Sequence, residues 1–157
     1  MTKRSEAKQK WLNNNLGKAM QSCVRAQTER LFYQYSMDAQ FFIAKGADVN
    51  AQNEYCDAPL MMALRERLNI LSLALVAAGA NVNAQNEYGN TPLILAAEYS
   101  SGKHLKDIET RLCLLFIAKG ADVNAQNERG NTALIWAIEN SNTKLGLALV
   151  NAGANVN

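Results

Sequence analysis

The residue types that most often carry out chemistry are few in this chain and lie far apart. The single histidine, His104, lies in a polar segment, and the three cysteines, Cys23, Cys56 and Cys113, show no metal-ligand spacing. One histidine cannot build a His-based zinc site alone, and a catalytic histidine needs partner groups in a defined arrangement. No glycine-rich loop that could cradle a phosphate is visible. We therefore predict a protein that is not an enzyme, with no cofactor, no metal site and a solvent-exposed His104.

The composition is that of a folded domain. Hydrophobic residues make up 48% and charged residues 19% of the 157 residues, so the chain can bury a core. The formal net charge of +2 is too small to indicate a nucleic-acid partner. No apolar run approaches the roughly 18 residues needed to span a bilayer, so we expect no membrane partner. The odd number of cysteines favours a reducing compartment, which predicts a cytoplasmic protein.

The first ten residues are basic and lack the apolar core of a signal peptide. Terminal residues without apolar anchors seldom stay ordered. We expect residues 1–10 to have no regular structure, and we expect packing to begin at Trp11, within a single domain that spans 11–157.

A ten-residue segment recurs along the chain and organises it. Lys45–Glu54 returns letter for letter as Lys119–Glu128, and close variants begin at Ala78 and Ala152. The glycines of the four copies are separated by 33, 41 and 33 residues. A period near 33 is typical of a protein built from stacked repeats.

The segments that follow two of the copies are nearly identical. Asn86–Leu93 reads NEYGNTPL and Asn127–Leu134 reads NERGNTAL. These segments resemble the ankyrin repeat, with its turn, its Thr-Pro-Leu helix start, its two antiparallel helices and its Gly-Ala helix end. The resemblance covers about residues 16–157. It implies an all-α ankyrin-repeat solenoid of helix-turn-helix units with β-hairpin-like turns, in about four repeats at 11–50, 51–83, 84–124 and 125–157.

Two of the four repeats are lengthened by insertions, around Val24–Gln34 and around Ser100–Asp107. Long and short repeats therefore alternate, which indicates duplication of a two-repeat block. The second insertion either lengthens both helices of its repeat by about a turn each or forms a loop at the end away from the turn tips. Loops of this kind are often functional, but length alone does not assign a role.

Local signals place the helix ends. Gly79 and its equivalents are expected to end the second helices, because glycine adopts the left-handed conformation that follows a helix end. Thr91 and Thr132 are expected to cap the first helices, and Pro92 suits a first helical position. Trp136 lies in an apolar column with Met62 and Leu95, which predicts core packing with Trp136 partly exposed.

The second repeat departs from this pattern at its turn. Cys56 replaces the glycine found at Gly89 and Gly130. If the position keeps a positive φ, the cysteine is strained by about 1 kcal/mol or more. Ala58 replaces the capping threonine, so we expect this turn to be the loosest.

Ankyrin repeats typically bind partners on the concave face, which is formed by the turn tips and the exposed side of the first helices. The resemblance therefore implies a protein or peptide partner. Aromatic and arginine side chains are the usual anchors of such interfaces, although tyrosines at the tips fit packing against neighbouring tips equally well. The candidate partner-binding residues are Tyr55, Asp57, Arg65, Glu66, Tyr88, Asn90, Glu98, Tyr99, Arg129, Asn131, Glu139 and Asn140.

The last repeat shows no polar substitution along Leu145, Leu147, Leu149 and Val150, although terminal repeats normally need a polar outer face. Two expectations follow. The chain is the targeting segment of a longer protein that was cut after Asn157, or it self-associates through a bare C-terminal edge. The asparagine-rich, near-identical copies also resemble ankyrin proteins of intracellular bacteria. That resemblance implies an effector delivered into a host cell as the alternative to a cytoplasmic scaffold.

Overall fold

A computed structural model describes residues 3–25, 29–100 and 106–156. These ranges contain α-helices and no strand, and consecutive helices pack together in four pairs. This confirms the predicted all-α fold of about four helix-turn-helix repeats. The helices are α1 Lys3–Arg25, α2 Glu29–Ala44, α3 Pro59–Arg65, α4 Asn69–Ala77, α5 Pro92–Glu98, α6 Lys106–Ala118, α7 Ala133–Glu139 and α8 Thr143–Asn151.

The helix pairs belong to two compact units. Unit 1 comprises Met1–Glu54 and Ala58–Ala80, and unit 2 comprises Tyr55–Asp57 and Asn81–Asn157. In unit 1, α1 packs on α3 and α2 packs on α4. In unit 2, α5 packs on α7 and α6 packs on α8. That residues 11–157 form a single domain, and that its four repeats have the bounds given above, stay predictions.

The basic N-terminal segment is helical from Lys3, whereas the sequence led us to expect no regular structure over residues 1–10. Helix α1 begins at Lys3, and the Gln9 side chain donates a hydrogen bond to the carbonyl of Gly46 at 2.9 Å. Trp11, further along the helix, meets Phe42 of α2 edge-on, with ring centroids 5.8 Å apart. These contacts supply the anchors that the basic residues themselves lack.

The two insertions act differently on their repeats. In the first repeat, α1 extends to Arg25 and α2 starts at Glu29, so the insertion lengthens both helices. In the third repeat, α5 keeps seven residues like α7, whereas α6 has 13 against nine in α8. The second insertion therefore lengthens one helix, not two. Residues 26–28 and 101–105 lie outside the described residues, and so does the expected exposure of His104.

The predicted helix ends are confirmed. Gly79 has φ of 91°, and its N–H bonds to the Val76 carbonyl at 3.1 Å. The next N–H, of Ala80, bonds to the Leu75 carbonyl at 3.0 Å, which completes a Schellman motif. At the other end of a repeat, Thr91 Oγ1 accepts the N–H of Ile94 at 3.3 Å, and Thr132 caps α7 in the same way.

The turn of the second repeat keeps a positive φ at Cys56 and has no capping side chain, and that it is the loosest turn stays a prediction. Cys56 has φ of 57°, close to the 70° of Gly89 and the 75° of Gly130 at the equivalent positions. Ala58, at the N-cap of α3, gives the helix no side-chain hydrogen bond. This turn therefore keeps the backbone conformation of the other turns, although it lacks the glycine and the capping threonine that favour that conformation.

Each unit has a core of fully buried apolar side chains, and burying one such side chain stabilises a fold by about 1.5–3 kcal/mol. In unit 2 the largest are Phe116, Leu93, Ile94, Leu112, Leu145 and Leu149. In the apolar column of the first helices, Leu95 is buried in the core and Trp136 is half-buried, as expected. The core holds the first helices in place, so that side chains at their C-terminal ends and at the turn tips have fixed positions.

Candidate functional site

The recurring Gly-Ala-Asp-Val-Asn segment joins one repeat to the next. In unit 2, the Asn83 side-chain amide donates to the carbonyl of Gly120 at 2.9 Å. Its oxygen accepts the N–H of Asp122 at 2.8 Å. Asn124 does the same with Gly153 and Asn155, at 3.1 and 2.7 Å. One asparagine thus closes a pair of hydrogen bonds across each boundary, which explains why this segment recurs with so little change.

A second ladder of asparagines joins the turn tips. Asn86 is buried, and its oxygen accepts the N–H groups of Tyr88 and Asn90 at 3.1 and 3.0 Å. Its amide donates to Asp57 Oδ1 at 3.0 Å. Asp57 is only 2% exposed. Its prediction as a partner-binding residue is therefore wrong, because its side chain is buried and holds the neighbouring turn.

The next step of this ladder repeats the arrangement with neutral groups. The Asn127 amide donates to Asn90 Oδ1 at 2.9 Å, and its oxygen accepts the N–H groups of Arg129 and Asn131 at 3.0 and 2.9 Å. Asn90 is half-buried and holds this turn as Asp57 holds the previous one. Asn131, which stands at the same position one repeat further on, is half-buried.

The ladder sets three long side chains in one row at the tips of unit 2. The N–H of Glu87 bonds to the carbonyl of Tyr55 at 3.2 Å, and the N–H of Glu128 bonds to that of Tyr88 at 3.0 Å. The two tip-to-tip bonds keep one register, so Tyr55, Tyr88 and Arg129 are neighbours along the row. Tyr55 is 52% and Tyr88 56% exposed, and Arg129 is exposed as well. We call these three residues the tip row.

The close stacking of the tips leaves little freedom in the backbone beneath the tip row. A Cβ placed on Gly89 would lie 3.2 Å from Cα of Asn127 and from N of Glu128. This is tighter than ordinary van der Waals contact, and both neighbours are backbone atoms that cannot turn aside. The tip row therefore rests on a stacked backbone, and a preformed row loses less entropy on binding.

The candidate residues on the first helices lie at the C-terminal ends of these helices. Glu98 and Tyr99 are half-buried at the end of α5, and Glu139 is exposed at the end of α7. The Asn140 amide donates to the carbonyls of Ala97 and Glu98 at 2.9 and 3.0 Å. Both amide hydrogens of Asn140 thus link α7 to α5 within unit 2, and its role in partner binding stays a prediction.

Two further candidates belong to unit 1. Arg65 is exposed in the last turn of α3, and Glu66 is half-buried at its C-cap. Unit 1 thus has candidate residues of its own, in addition to those that unit 2 brings together.

A buried polar cluster was not predicted from the sequence. Asn142 caps α8 by accepting the N–H of Leu145 at 3.1 Å, and it donates to Thr110 Oγ1 at 2.9 Å. Glu109 and Cys113 lie buried on the same helix as Thr110. Burial, with a smaller contribution from the Glu109 charge, raises the pKa of the Cys113 thiol far above its ordinary value. This thiol stays protonated and is a poor nucleophile. The Asn-x-x-Leu helix start was the signal that could have identified Asn142.

The described residues offer surfaces for contact. In the described ranges, no group of three His, Cys, Asp or Glu side chains could hold a metal ion. Among the helices described, none is long and apolar enough to cross a membrane. The arrangement is that of a repeat protein with a stacked row of exposed aromatic and basic tips.

The comparison with family models identifies the class. The model for ankyrin repeats (3 copies) matches residues 33–113, and the model for ankyrin repeats (many copies) matches residues 108–150. The first match covers more than half of the chain, so the chain belongs to the ankyrin repeat family. A search of curated proteins found no match. Members of this family are generally protein–protein interaction modules and are typically non-enzymatic.

Proposed function

We propose that this protein is a non-enzymatic scaffold that binds a partner protein through the tip row of unit 2, together with the first-helix ends that carry Tyr99, Glu98 and Glu139. One observation carries the proposal. Tip-to-tip backbone bonds of 3.2 and 3.0 Å hold Tyr55, Tyr88 and Arg129 in one register on a stacked backbone, with both tyrosines more than half exposed.

The chemistry of the tip row suits an interface. Tyrosine offers a large, rigid ring with few rotatable bonds, and arginine offers a planar fork of donors. Both residue types are enriched at the energetic centres of interfaces. The exposed carboxylates of Glu87 and Glu128 flank the tip row, where they would favour a partner with basic groups at the rim of the contact.

The repeats differ in sequence at their turn tips, whereas the asparagines that join one repeat to the next are the same. The frame asparagines Asn83 and Asn124 make the same pair of bonds at each boundary, so that part of the repeat is not free to vary. Tyr88 and Arg129 occupy equivalent tip positions with different chemistry. Specificity is therefore carried by residues that the stacking does not require.

The test is affinity capture with three immobilised proteins. The wild type is compared with a variant in which Tyr88, Tyr99 and Arg129 are all alanine. We expect the variant to lose the proteins that the wild type retains, with unchanged helical content by circular dichroism. Retention of the same proteins by the variant would show that binding lies elsewhere.

The third protein is a control that also removes three side chains from unit 2, all of them exposed and on or next to the second helices. Arg111, Lys119 and Lys144 are exposed on or next to α6 and α8, away from the tip row. Their joint replacement by alanine should leave capture unchanged. If both variants lose the same proteins, the loss comes from a general change of charge or stability.

A further inference from the structure

The second helices of unit 1, α2 and α4, carry an apolar outer surface. Over residues 37–44 of α2 and 69–77 of α4, every exposed side chain is apolar. The exposed positions fall at helical spacing, so they form one stripe on each helix. The two stripes lie side by side, because α2 packs on α4 and the stripes occupy equivalent positions of neighbouring repeats. We call the six side chains the outer face: Met37, Phe41, Ala44, Ile70, Leu73 and Ala77.

The stacking of the repeats does not require the outer face to be apolar. Met37 is 53% and Ile70 is 70% exposed. At the equivalent positions of unit 2, counted from the recurring ten-residue segment, the chain has Arg111 and Lys144, which are also exposed. The same position therefore accepts a charged side chain in one unit and has a large apolar one in the other. A contiguous set of such apolar side chains marks a site of contact.

Aromatic rings extend the outer face towards α1. The ring of Phe41 meets that of Phe42 edge-on, with centroids 5.5 Å apart, and Phe42 meets Trp11 in the same way at 5.8 Å. Phe41 is 53% and Trp11 is 57% exposed. Tryptophan is enriched where a bilayer meets water, because its ring is apolar and its N–H is polar.

Basic side chains surround these rings. Nζ of Lys45 lies 5.4 Å from the ring centroid of Phe41. Among the side chains described in α1, α2 and α4, Glu6 is the only exposed acid, and Asp38 is half-buried. The exposed bases on these helices or directly beside them outnumber the acids: Lys8, Lys10, Lys18, Lys45 and Arg67. The outer face and its rings are therefore complementary to an anionic surface.

The chemistry of the outer face favours a lipid surface over a protein. A protein interface has about one hydrogen bond per 100–200 Å². The six side chains of the outer face offer no nitrogen or oxygen atom for such bonds. The acyl region of a bilayer needs none, whereas the headgroups above it supply phosphates for basic side chains. Lysine also places its apolar stem along the boundary and its charge in the headgroup layer.

We propose that unit 1 lies with its outer face on the surface of a bilayer that contains anionic lipids. Phe41, Ile70 and Trp11 enter the boundary between headgroups and acyl chains, and the surrounding bases meet the lipid phosphates. The expectation of no membrane partner rested on the lack of an apolar run long enough to span a bilayer, and a face that lies on the surface needs no such run. The tip row of unit 2 takes no part.

The test is co-sedimentation of the full chain with sucrose-loaded vesicles. Phosphatidylcholine and phosphatidylserine at about 2:1 should bind the wild type, and pure phosphatidylcholine should bind it at least ~30-fold more weakly. Replacing Met37 and Ile70 together by glutamine should lower the partition coefficient at least ~10-fold, because less apolar surface enters the bilayer. Replacing Lys8, Lys10 and Lys45 together by glutamine should lower it at least ~30-fold, since each base near an anionic surface contributes about fivefold.

Two control variants make equivalent changes on the second helices of unit 2. Replacing Arg111, Lys119 and Lys144 together by glutamine removes the same charge as the lysine variant of unit 1. Replacing Leu147 and Val150 by glutamine removes two exposed apolar side chains. Both should bind the anionic vesicles within about twofold of the wild type. The triple alanine variant that tests the tip row should also bind them like the wild type, which keeps this proposal distinct from the proposed function. Circular dichroism checks that each variant is folded.

A second measurement locates the contact on the chain. In a Trp136→Phe background, brominated phosphatidylcholine in the anionic vesicles should quench the fluorescence of Trp11. Unquenched Trp11 in the vesicle-bound protein would mean that another surface meets the lipid.

Three other outcomes would overturn the proposal. A wild type that does not sediment with the anionic vesicles has no such face. Equal binding to both kinds of vesicle would show that the bases play no part. Vesicle binding that survives the glutamine variants of the outer face and of the lysines is made by other residues.

Discussion

Replacing Asn86 by alanine should destabilise the protein more than the same change at Asn127. Both side chains make three hydrogen bonds at equivalent positions in the tip ladder. Asn86 is buried and donates to the carboxylate of Asp57, whereas Asn127 is half-buried and donates to the neutral amide of Asn90. The two variants therefore share a chemistry and differ in burial and in the charge of one acceptor.

The magnitude follows from these contacts. A neutral hydrogen bond contributes about 1 kcal/mol to stability, and one to a charged group contributes about 1.5–3 kcal/mol. Two neutral bonds and one to a carboxylate predict a loss of about 3.5–5 kcal/mol for Asn86→Ala. At Asn127 water replaces part of the lost bonding, which predicts a loss of about 1–2 kcal/mol.

The assay is urea unfolding followed by far-UV circular dichroism, with free energies from linear extrapolation. The two variants should unfold with slopes like that of the wild type, so that the difference lies in the midpoint. Equal losses for the two variants, or a larger loss for Asn127→Ala, would refute the assignment of Asn86 and Asp57 as the central bond of the ladder.

Three further predictions concern the second repeat and the thiols. Cys56→Gly should stabilise the protein by up to about 1 kcal/mol in urea unfolding, because it relieves a positive φ of 57°; a destabilised variant would contradict this. Ala58→Thr should supply the missing cap of α3 and raise stability by about 1 kcal/mol, whereas an unchanged midpoint would mean that the site rejects the hydroxyl. In a Cys23→Ser background at pH 8, a thiol reagent should label the exposed Cys56 quickly. It should label Cys113 only after unfolding, because burial shields this thiol and its raised pKa keeps it protonated. Equal labelling rates for the two thiols would contradict this prediction.

Much of the fold was predictable because its signals act locally. A glycine that ends a helix and a threonine that caps one lie within a few residues of the groups that they satisfy, so Gly79 and Thr91 were assigned correctly from the sequence. The strain at Cys56 was predictable for the same reason, because the equivalent turns have a glycine at this position. The start of α1 at Lys3 did not follow, because the contact of Gln9 with Gly46 joins residues 37 positions apart.

The surroundings of the candidate binding residues were less predictable for a similar reason. Asp57 and Asn140 are polar residues at positions where the resemblance implied contact with a partner, and the sequence shows the residue types without the groups that they meet. Asn86 reaches Asp57 across 29 residues, and Asn140 reaches Ala97 across 43. Both bonds exist only once the repeats stack. The recurrence of Asn86 as Asn127, each with an acceptor at the preceding tip, was the pattern that could have identified the ladder.

The division between a structural frame and a binding tip row is tested most directly by one affinity measurement. A protein captured by the wild type is titrated against the wild type, the triple alanine variant of Tyr88, Tyr99 and Arg129, and the control variant of Arg111, Lys119 and Lys144. We expect the triple variant to bind at least ~100-fold more weakly, since interface anchors each contribute more than about 1 kcal/mol, and the control to bind within about twofold of the wild type. An affinity of the triple variant equal to that of the wild type would contradict the proposal that the tip row binds the partner.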